Sequence, residues 1–447
     1  MNNPPQFPDS FIKHLQTIPG VEPHELFEAL HSVPPTSIRL NPNKPTQKYV
    51  HEKPVTWSQH GYYLADRPVF TLDPLHHAGA YYVQEAGSMF VGTIIKELLK
   101  TTKIKTVLDL CAAPGGKTTD MASVLDKDTF ILANEPIKNR TSILYENVVK
   151  WGNDNVYISQ NDPKNFNTIK GFFDLVLADV PCSGSGMFRK DPQSIEHWSL
   201  DSVVHCSLRQ QRIIDDVWPA LKAGGYMIYA TCSYSMEEDE QIVENICKNL
   251  GAEIVNIPLP DSNIYNSGNG YRFYPNKLDS EGFFIAVLKK TEELVGDSKV
   301  PYYNAKAGLP MITKGDRAAL DNYIILPKEN LFNMKHDLYY IKHPAELQFL
   351  SPHLNIYKRG VKLGKIIRKE LIADHEFCML HSHNIQFNKI EIDKETALEF
   401  LRKNPVHTDG AIGWAMLCYE GLPLGLIKNM ENRSNNYYPT EWRIRNL

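Results

Sequence analysis

The sequence lacks long apolar runs and a leader of the secretory type. Nowhere do about 20 apolar residues follow one another, the length that a membrane-spanning helix needs. The first residues, MNNPPQFPDSF, contain neither the basic region nor the apolar region that direct secretion. We therefore expect a soluble protein that is not exported and has no membrane partner.

Paired cysteines are also missing. The seven cysteines are an odd number and include no C-x-x-C pair, which disfavours both a disulfide framework and a structural zinc site. We expect free thiols, no bound metal and a cytoplasmic location, because the reducing cytoplasm keeps cysteines unpaired.

Apolar material for a core is plentiful, and the charge is unevenly distributed. The chain has 447 residues, 42% of them hydrophobic and 22% charged, which is typical of a globular protein with two or three domains. The formal charge is −4, yet residues 301–447 hold 20 Lys and Arg against 16 Asp and Glu. Six basic residues and no acidic one lie close together there: Lys358, Arg359, Lys362, Lys365, Arg368 and Lys369. This cluster is a candidate contact for a polyanion, although an ordinary solvated face has the same composition.

From residue 104 onward, apolar runs rich in β-formers alternate with helical patterns. The runs are IKTVLDL, TFILAN, FFDLVLADV, YMIYATCS and GFFIAVLKK. The helical patterns lie near 117–125, 137–150, 201–221 and 237–250. This alternation predicts an α/β fold with a parallel, doubly wound sheet. Before it, residues 8–31 predict one short amphipathic helix and TSIRLN a strand, and after it the charged TEELVGDSK predicts a domain boundary near 292–300.

Ligands of a doubly wound sheet bind beyond the carboxyl ends of its strands. The first strand runs into a tight loop and then a helix, and the loop consists of Cys111, Ala112, Ala113, Pro114, Gly115, Gly116 and Lys117. Its glycines allow the backbone to turn beside a ligand at a helix N-terminus. The loop matches neither the G-x-G-x-x-G nor the G-x-x-x-x-G-K-[ST] pattern, which disfavours NAD and nucleoside triphosphates.

Acidic residues follow the next two strands. Glu135 ends the second strand, where an acid can bind ribose hydroxyls, and Asp162 follows the third, within reach of an adenine amino group. Each is also compatible with a surface acid or a helix cap.

Two cysteines follow two further strands. Asp179 and Cys182 come after FFDLVLA, and Cys232 comes after YMIYAT. Because the carboxyl ends of parallel strands meet at one edge of a sheet, we expect both thiols to face the same cleft. A single cysteine is usually a small buried hydrophobe, and we interpret the cysteines within helical or strand patterns in that way: Cys206, Cys247, Cys378 and Cys418.

Four motifs resemble those of the Nop/Sun family of RNA cytosine-5 methyltransferases, which use S-adenosylmethionine. In chain order they are LDLCAAPGGKTTD, ANEPIKNR, DVPCSGSGMFRKDP and ATCSYS. The resemblance extends from about Thr36 to GFFIA at 282–286. The tail, GLPLGLIKNMENRSNNYYPTEWRI, is similar to the last module of bacterial RsmF-type members, which modify 16S ribosomal RNA of the small subunit.

The resemblance implies a division of the chain into four parts. A small α/β region that binds RNA or acts as a lid would span 1–95 and a class I methyltransferase domain, with its Rossmann-like sheet, 96–292. A first C-terminal module would span 300–372, and a PUA-like RNA-binding module 373–447.

The resemblance also implies roles for individual residues. The loop from Cys111 to Lys117 would surround the methionine part of S-adenosylmethionine, while Glu135, supported by Arg140, would bind its ribose and Asp162 its adenine. Asp179 would be an acid near both cofactor and base. Cys232 would be the nucleophile and Cys182 the thiol that assists product release.

The chain departs from the family pattern in two places. Many relatives have Asp at the position of Glu135, and EEDE at 237–240 replaces the commoner EENE. We expect the first change to lengthen the reach to the ribose by one methylene and the second to affect only a helix start.

The chemistry of cytosine agrees with these roles. Carbon 5 is a poor nucleophile, so a thiolate must first add to carbon 6 and make carbon 5 enamine-like. Since a free thiol is mostly protonated near pH 7, a positive group such as Lys117 or a helix N-terminus must favour its ionisation. Asp179 could then hydrogen-bond the base as charge develops on its ring.

Three alternatives remain open. The enzyme could act on DNA, although DNA enzymes of this chemistry use the Pro-Cys thiol and have no Thr-Cys partner. It could act on transfer RNA instead of 16S ribosomal RNA. It could also be a non-catalytic RNA-binding assembly factor, although such a factor would not need both cysteines.

The last third of the chain is expected to supply RNA affinity and no catalytic group. Its tail interleaves cations with aromatic rings, the combination that binds unpaired RNA: Lys428, Arg433, Arg443 and Arg445 with Tyr437, Tyr438 and Trp442. The same aromatic residues could instead form the core of a small module.

Overall fold

The computed structural model describes residues 7–291, 309–381, 383–408, 410–430 and 433–445. Among these residues no helix is both long enough and apolar enough to cross a membrane. Their α-helices are α1 (Asp9–Leu15), α2 (Pro23–Leu30), α3 (Pro74–Ala78), α4 (Phe90–Leu99), α5 (Gly116–Val124), α6 (Lys138–Trp151), α7 (Gln193–His197), α8 (Leu200–Val217), α9 (Glu240–Leu250), α10 (Lys314–Leu320), α11 (Pro344–Leu350), α12 (His375–Met379) and α13 (Lys394–Leu401).

The strands of the described residues form four sheets. In chain order the strands are β1 (Thr36–Leu40), β2 (Lys53–Pro54), β3 (Gly61–Leu64), β4 (Tyr81–Val83), β5 (Thr106–Asp109), β6 (Phe130–Asn134), β7 (Val156–Ser159), β8 (Phe173–Asp179), β9 (Leu221–Thr231), β10 (Ala252–Ile254), β11 (Tyr265–Asn266), β12 (Tyr271–Phe273), β13 (Phe283–Lys290), β14 (Leu331–Met334), β15 (Asp337–Tyr340), β16 (Ile356–Lys358), β17 (Val361–Ile367), β18 (Glu370–Ala373), β19 (Asn388–Glu391), β20 (Gly413–Tyr419), β21 (Leu422–Met430) and β22 (Arg433–Asn436).

The central sheet has the strand order β11-β12-β13-β9-β8-β5-β6-β7-β16, with β10 paired to β13. Its strands β9, β8, β5, β6 and β7 are parallel. Every residue of β5, β6 and β7 is buried, because α4, α5 and α6 cover one face of the sheet and α8 and α9 the other. Strands covered on both faces need continuous apolar runs. The predicted parallel, doubly wound sheet is confirmed.

The N-terminal residues form two helices where one was predicted. The prediction of a single helix over 8–31 is wrong because Pro19 and Gly20 interrupt it, and Gly20 adopts a φ of 72°. The left-handed conformation ends a helix and suits glycine. Helices α1 and α2 instead fold together over the loop that follows β8, where the Phe11 ring lies 4.9 Å from that of Phe188.

The N-terminal sheet, β2-β3-β1-β4, is joined to the central domain by a buried arginine. The Arg39 guanidinium is 1% exposed and lies 3.6 Å from Asp120 of α5 and 4.5 Å from the centre of the Trp151 ring. Its Nη2 also donates to the Thr119 hydroxyl. A buried cation needs such partners to offset its lost hydration, so this contact fixes the N-terminal sheet on the central one.

The segment after the central domain contributes a strand to the central sheet. Most of it forms the sheet β14-β15-β17-β18, but β16 pairs antiparallel with β7 at the edge of the central sheet. Side chains of α11 enter the same core as Phe172 and Phe173. The segment predicted as a separate module over 300–372 is therefore continuous with the central sheet. The boundary predicted near 292–300 lies outside the described residues, and the proposed domain limits remain a prediction.

The last sheet, β19-β20-β21-β22, combines one parallel and two antiparallel pairings. It packs against α12 and against α3 of the N-terminal region, where Ala78 enters its core. All four parts of the predicted division thus contact one another through buried side chains.

Leu350 tests whether the core of the central sheet extends into α11. The Leu350 side chain is fully buried in that core, so Leu350→Ala should lower the free energy of unfolding by about 2–5 kcal/mol. Denaturant unfolding measures the change. Leu200→Ala is the matched control, because Leu200 is 48% exposed and its loss should change stability by less than about 0.5 kcal/mol. Equal stabilities of the two variants would contradict the shared core.

Candidate active site

A cavity of about 450 Å³ opens at the carboxyl ends of the parallel strands. Asp109 ends β5, Asp179 ends β8 and Cys232 directly follows β9, so three neighbouring strands deliver polar side chains to it. The lining residues are Tyr82, Val83, Gln84, Glu85, Ser88, Asp109, Cys111, Ala112, Ala113, Pro114, Gly116, Lys117, Arg140, Asp179, Met187, Lys190, Cys232, Gly282 and Phe283. The N-terminal sheet therefore forms one wall of the cavity.

The loop between β5 and α5 forms another wall. All of its residues from Cys111 to Lys117 line the cavity except Gly115, which adopts a φ of 113° and caps α5. A side chain at Gly115 would be strained by this φ and would approach the Leu144 side chain to 3.2 Å. From α6, the Arg140 Nη2 donates to the Ala113 carbonyl at 2.8 Å. Helix α6 therefore holds the loop through Arg140.

The two thiols expected to share a cleft lie side by side. The Cys182 and Cys232 Sγ atoms are 3.0 Å apart, and both cysteines are free. Cys232 lines the cavity, whereas Cys182 lies behind it. The hydrogen bond to Cys232, together with burial, holds the pKa of Cys182 well above its usual range. The Cys182 thiol can therefore donate to the sulfur of Cys232.

A lysine–aspartate pair lies beside the thiols. The Lys117 Nζ donates to Asp179 Oδ2 at 2.7 Å, and both residues line the cavity. Burial lowers the pKa of Lys117, but the Asp179 carboxylate outweighs burial and the net pKa is raised. Lys117 is therefore a cation held at a fixed position. Cys232 is among the neighbouring groups that raise the pKa of Lys117.

Asp109 is a cavity residue to which the sequence analysis gave no role. Its Oδ2 accepts from the Thr118 hydroxyl at 2.6 Å, while its buried Oδ1 has no hydrogen-bond partner among the described residues. Burial, opposed in part by that hydrogen bond, raises its pKa to about 7. Its position at the end of the first strand, next to the glycine loop, was the signal available in the sequence.

Glu135 lies buried behind the cavity at the end of β6. Its Oε1 accepts from the Ile137 backbone N–H at 3.0 Å. Its Oε2 accepts no hydrogen bond from any described residue and faces Arg140 at 3.5 Å. A buried carboxylate oxygen without a donor is costly, which is a reason to expect a ligand hydroxyl there.

Asp162, expected at the adenine, occupies a different kind of position. Its carboxylate caps the short 3-10 helix Pro163–Thr168 by accepting from the Lys164 N–H at 3.1 Å. The side chain is exposed and does not line the cavity. The structure does not bring it together with the other predicted residues, and the adenine contact remains a prediction.

Glu238 connects the loops that carry the two cysteines. Its fully buried carboxylate accepts from the Ser183 N–H at 2.7 Å, from the Ser183 hydroxyl at 2.5 Å and from the Ser233 hydroxyl at 2.6 Å. A fourth donor is the Gln210 amide at 3.2 Å. Since Ser183 follows Cys182 and Ser233 follows Cys232, one side chain sets the distance between the thiols.

Asp239, the departure from the family in EEDE, does more than begin a helix. The expectation that it affects only the helix start is wrong, because its side chain makes no cap hydrogen bond to α9. Its Oδ1 instead accepts from the Thr231 hydroxyl at 2.5 Å, and its Oδ2 lies 3.1 Å from Arg272. Burial raises the pKa of Asp239 well above its usual range, against the effect of Arg272. Asp239 thus holds the residue before Cys232.

Two glycines bring the cysteine loops close to a third loop. The Gly186 N–H donates to the Cys232 carbonyl and the Gly282 N–H to the Gly186 carbonyl, each at 2.9 Å. A Cβ built on Gly186 would lie 2.3 Å from the Gly282 carbonyl oxygen. Only glycine permits this approach.

The basic cluster of residues 358–369 is only partly available to a polyanion. Lys358 is 3% exposed and pairs with Glu376 at 2.7 Å, and Lys362 pairs with Asp337 at 3.0 Å. For these two lysines the predicted contact is wrong, because they neutralise acids of the same fold. The remaining four side chains are exposed: Arg359, Lys365, Arg368 and Lys369.

The aromatic residues of the tail are largely core residues. Tyr438 is fully buried, Tyr437 packs on Trp414 with ring centres 4.5 Å apart, and Trp442 is half-buried beside His375. Of the two interpretations left open for Tyr438, stacking on RNA or a place in the core, the structure supports the core. Three tail arginines remain exposed: Arg433, Arg443 and Arg445.

Glu238 tests the coupling of the cysteine loops. Glu238→Gln turns an amide NH2 toward groups that need an acceptor, so we expect a loss of about 1–3 kcal/mol in unfolding free energy. We also expect slower formation of a Cys182–Cys232 disulfide when the protein is treated with diamide. Glu237→Gln is the control, since the neighbouring Glu237 is 39% exposed. If both variants form the disulfide at the wild-type rate, Glu238 does not set the distance.

Comparison with protein families finds three matches along the chain. Residues 96–289 match the family described as 16S rRNA methyltransferase RsmB/F. Residues 7–86 match the N-terminal domain of 16S rRNA methyltransferase RsmF, and residues 387–444 match the methyltransferase RsmF PUA domain.

Individual relatives agree with these matches. The ribosomal RNA small subunit methyltransferase F of Shewanella woodyi is 31% identical, over 87% of this chain and 84% of that protein. The protein of the same name from Aliivibrio fischeri is 29% identical over 97% of each chain.

Solved structures share the central fold. A methyltransferase homolog protein from Pyrococcus horikoshii superposes with a TM-score of 0.54 at 28% identity, over 63% of this chain and 94% of that one. NSun6 from the same organism, solved with SFG, superposes with a TM-score of 0.55 at 21% identity, over 65% of this chain and all of that one. The class I methyltransferase fold and the family resemblance of the motifs are confirmed, and the chain belongs to the RsmF family of ribosomal RNA methyltransferases.

Proposed function

We propose that this protein methylates carbon 5 of a cytosine in RNA, with S-adenosylmethionine as the methyl donor. The observation that carries the proposal is the pair of thiols, 3.0 Å apart, at the wall of the cavity beside Lys117 and Asp179. One thiol can attack the base, and the other can donate a hydrogen bond to the attacking sulfur. An enzyme that methylates an amino nitrogen needs no thiol for its chemistry.

The cavity has groups that fit S-adenosylmethionine. The loop from Cys111 to Lys117 would hold its methionine part at the N-terminus of α5. Glu135 Oε2, which accepts no hydrogen bond from any described residue, would accept from a ribose hydroxyl. When bound, this cofactor supplies an electrophilic methyl group. The chain's own residues must supply the nucleophile, the acid and the geometry.

Cys232 starts the reaction. As a thiolate it adds to carbon 6 of the cytosine, forming a sulfur–carbon bond and leaving carbon 5 electron-rich. The Cys182 thiol can donate a hydrogen bond to this sulfur, and Lys117 places a positive charge nearby. A hydrogen-bond donor and a positive charge thus lie beside the attacking sulfur.

Asp179 and Cys182 stabilise the charges that form on the ring and on the leaving sulfur. Asp179 lines the cavity and can hydrogen-bond the ring as charge develops on it. After carbon 5 has gained its methyl group, its proton goes to a base, the sulfur–carbon bond breaks and Cys232 leaves as a thiolate. The Cys182 thiol, which faces that sulfur, stabilises the leaving thiolate. This assigns product release to Cys182.

The proposed substrate is 16S ribosomal RNA of the small subunit. Support comes from the names of relatives that align with nearly the whole chain and from the match to the PUA domain. The exposed arginines of the tail and of residues 358–369 offer contacts to phosphate. We propose the cytoplasm as the place where the protein acts on this substrate.

Glu135 tests the cofactor site. Glu135→Ala removes a charged acceptor for the ribose, and a hydrogen bond of this kind contributes about 1.5–3 kcal/mol. We expect S-adenosylmethionine to bind roughly tenfold to a hundredfold more weakly by calorimetry. Glu28→Ala, at a glutamate that is 70% exposed, should bind as wild type does. Unchanged affinity in Glu135→Ala would remove this residue from the site.

The cysteines test the reaction itself. In cells that lack the gene, wild-type protein should restore 5-methylcytosine in 16S ribosomal RNA by bisulfite sequencing, and Cys232→Ala should not. Cys182→Ala should accumulate a covalent protein–RNA complex that survives denaturing electrophoresis, because its release step is impaired. Cys247→Ala, a cysteine of α9 outside the cavity, should behave as wild type.

Each alternative has its own outcome in these experiments. An adduct that accumulates in Cys232→Ala, and not in Cys182→Ala, would reverse the two roles and indicate DNA-like chemistry. Methylation confined to transfer RNA would change the substrate. Cofactor binding without methylation of any RNA would favour the assembly factor.

A further inference from the structure

A second cavity, of about 330 Å³, lies where α6 of the central domain meets the segment after it. Its size is at the low end for small-ligand pockets, which suits a single nucleotide better than a whole cofactor. The lining residues are Tyr145, Met334, Lys335, Asp337, Tyr339, Tyr357, Lys358, Arg359, Gly360, Lys362 and Glu376. The two family matches that flank it end at residue 289 and begin at residue 387, so most of this lining belongs to a segment that neither match covers.

An exposed aromatic ring forms one side of this cavity. Tyr357 lies on β16, is 45% exposed and meets Tyr145 edge to face, with ring centres 5.8 Å apart. Its neighbours on β16, Ile356 and Lys358, pair with β7 across a register shift, so the Tyr357 backbone is held on both sides while its ring stays available. A ring held in this way can stack on an unpaired base.

Two cations at the cavity have no acidic partner among the described residues. Of the four basic residues that line it, Lys358 and Lys362 are neutralised by Glu376 and Asp337. Lys335 and Arg359 are exposed, and neither makes an ion pair within the described part of the chain. Their charges are therefore free to meet a phosphate.

A buried carboxylate lies among the other lining residues. Glu376 is 5% exposed, and its Oε2 accepts from the Lys362 N–H at 3.0 Å and the Tyr145 hydroxyl at 3.3 Å. Its Oε1 forms an ion pair with the Lys358 Nζ at 2.7 Å. Both oxygens of this carboxylate therefore have partners within the fold, and Glu376 holds Lys358 and Tyr145 in place in the cavity wall.

We propose that this second cavity binds one unpaired nucleotide of the RNA substrate, outside the catalytic cavity. The base stacks on Tyr357, and the phosphates on either side contact Lys335 and Arg359. The proposal rests on the proposed function only in taking the ligand to be RNA. Aromatic stacking combined with cations is the usual chemistry of single-stranded RNA recognition.

Helix α6 connects the two cavities. Arg140 lines the catalytic cavity and Tyr145 the second one. Five residues of helix correspond to a rise of about 7.5 Å and a rotation of about 140°, so the two residues lie on different sides of α6. A strand of RNA that crosses α6 can therefore place its target base in one cavity and a nearby base in the other. The second cavity would thus select the sequence or shape beside the target cytosine.

Crosslinking and binding of the full-length protein test this proposal. The probe is a short single-stranded RNA that carries 4-thiouridine, and affinity is measured by fluorescence anisotropy. Tyr357→Ala should bind the probe about tenfold more weakly, since stacking on one base has a comparable effect. Tyr357→Phe is the matched control and should keep the affinity because it keeps the ring. Arg359→Ala should make the salt slope shallower by about 0.7.

Mass spectrometry of the irradiated complex locates the bound base. We expect a crosslinked peptide that contains Tyr357 in wild-type protein and its loss in Tyr357→Ala, with an unchanged melting temperature. Wild-type affinity in Tyr357→Ala, or crosslinks that map only elsewhere, would overturn the proposal. Failure of the proposed function looks different, because wild-type protein would then bind and crosslink the probe at Tyr357 but leave 16S ribosomal RNA unmethylated.

Discussion

The geometry of the active site depends on one buried carboxylate. Burying a charge is costly unless donors replace its lost water, and Glu238 meets this condition with four donors from Ser183, Ser233 and Gln210. Burial nevertheless raises its pKa. Because Ser183 and Ser233 belong to the two cysteine loops, the loops cannot move apart without leaving the carboxylate partly unsatisfied. The thiols are held together by an acid that touches neither sulfur.

Asp239 and Glu240, the two acids that follow Glu238, connect this arrangement to β12. Glu240 forms an ion pair with Arg272 of β12, and Asp239 joins Arg272 to the Thr231 hydroxyl. The arginine is 1% exposed and also donates to the Tyr234 carbonyl. The end of β9, the start of α9 and strand β12 thus share one buried network. Partner removal in such a network leaves a buried charge uncompensated, which is strongly destabilising.

The parallel sheet was predictable because its strands are buried on both faces, which forces continuous apolar runs such as FFDLVLADV. The site residues that directly follow these strands were predictable for the same reason, as with Asp179 and Cys232. Glu238 was not, because EEDE has the composition of a helix start and two of its donor residues, Ser183 and Gln210, lie far away in sequence. Lys358 was misjudged because a run of charges does not show which of them meet acids of the same fold. Pairings between distant segments leave no local pattern.

The pairing of β16 with β7 has a consequence for the order in which the molecule is completed. β7 ends at Ser159, whereas its partner begins at Ile356. After the catalytic residues have been synthesised, the ribosome must still add more than a hundred residues before β16 can cover this edge of the sheet. An uncovered strand edge offers unpaired N–H and C=O groups to other chains. Until then the nascent protein carries an open edge beside a finished active site, and this interval is when a chaperone would be of most use.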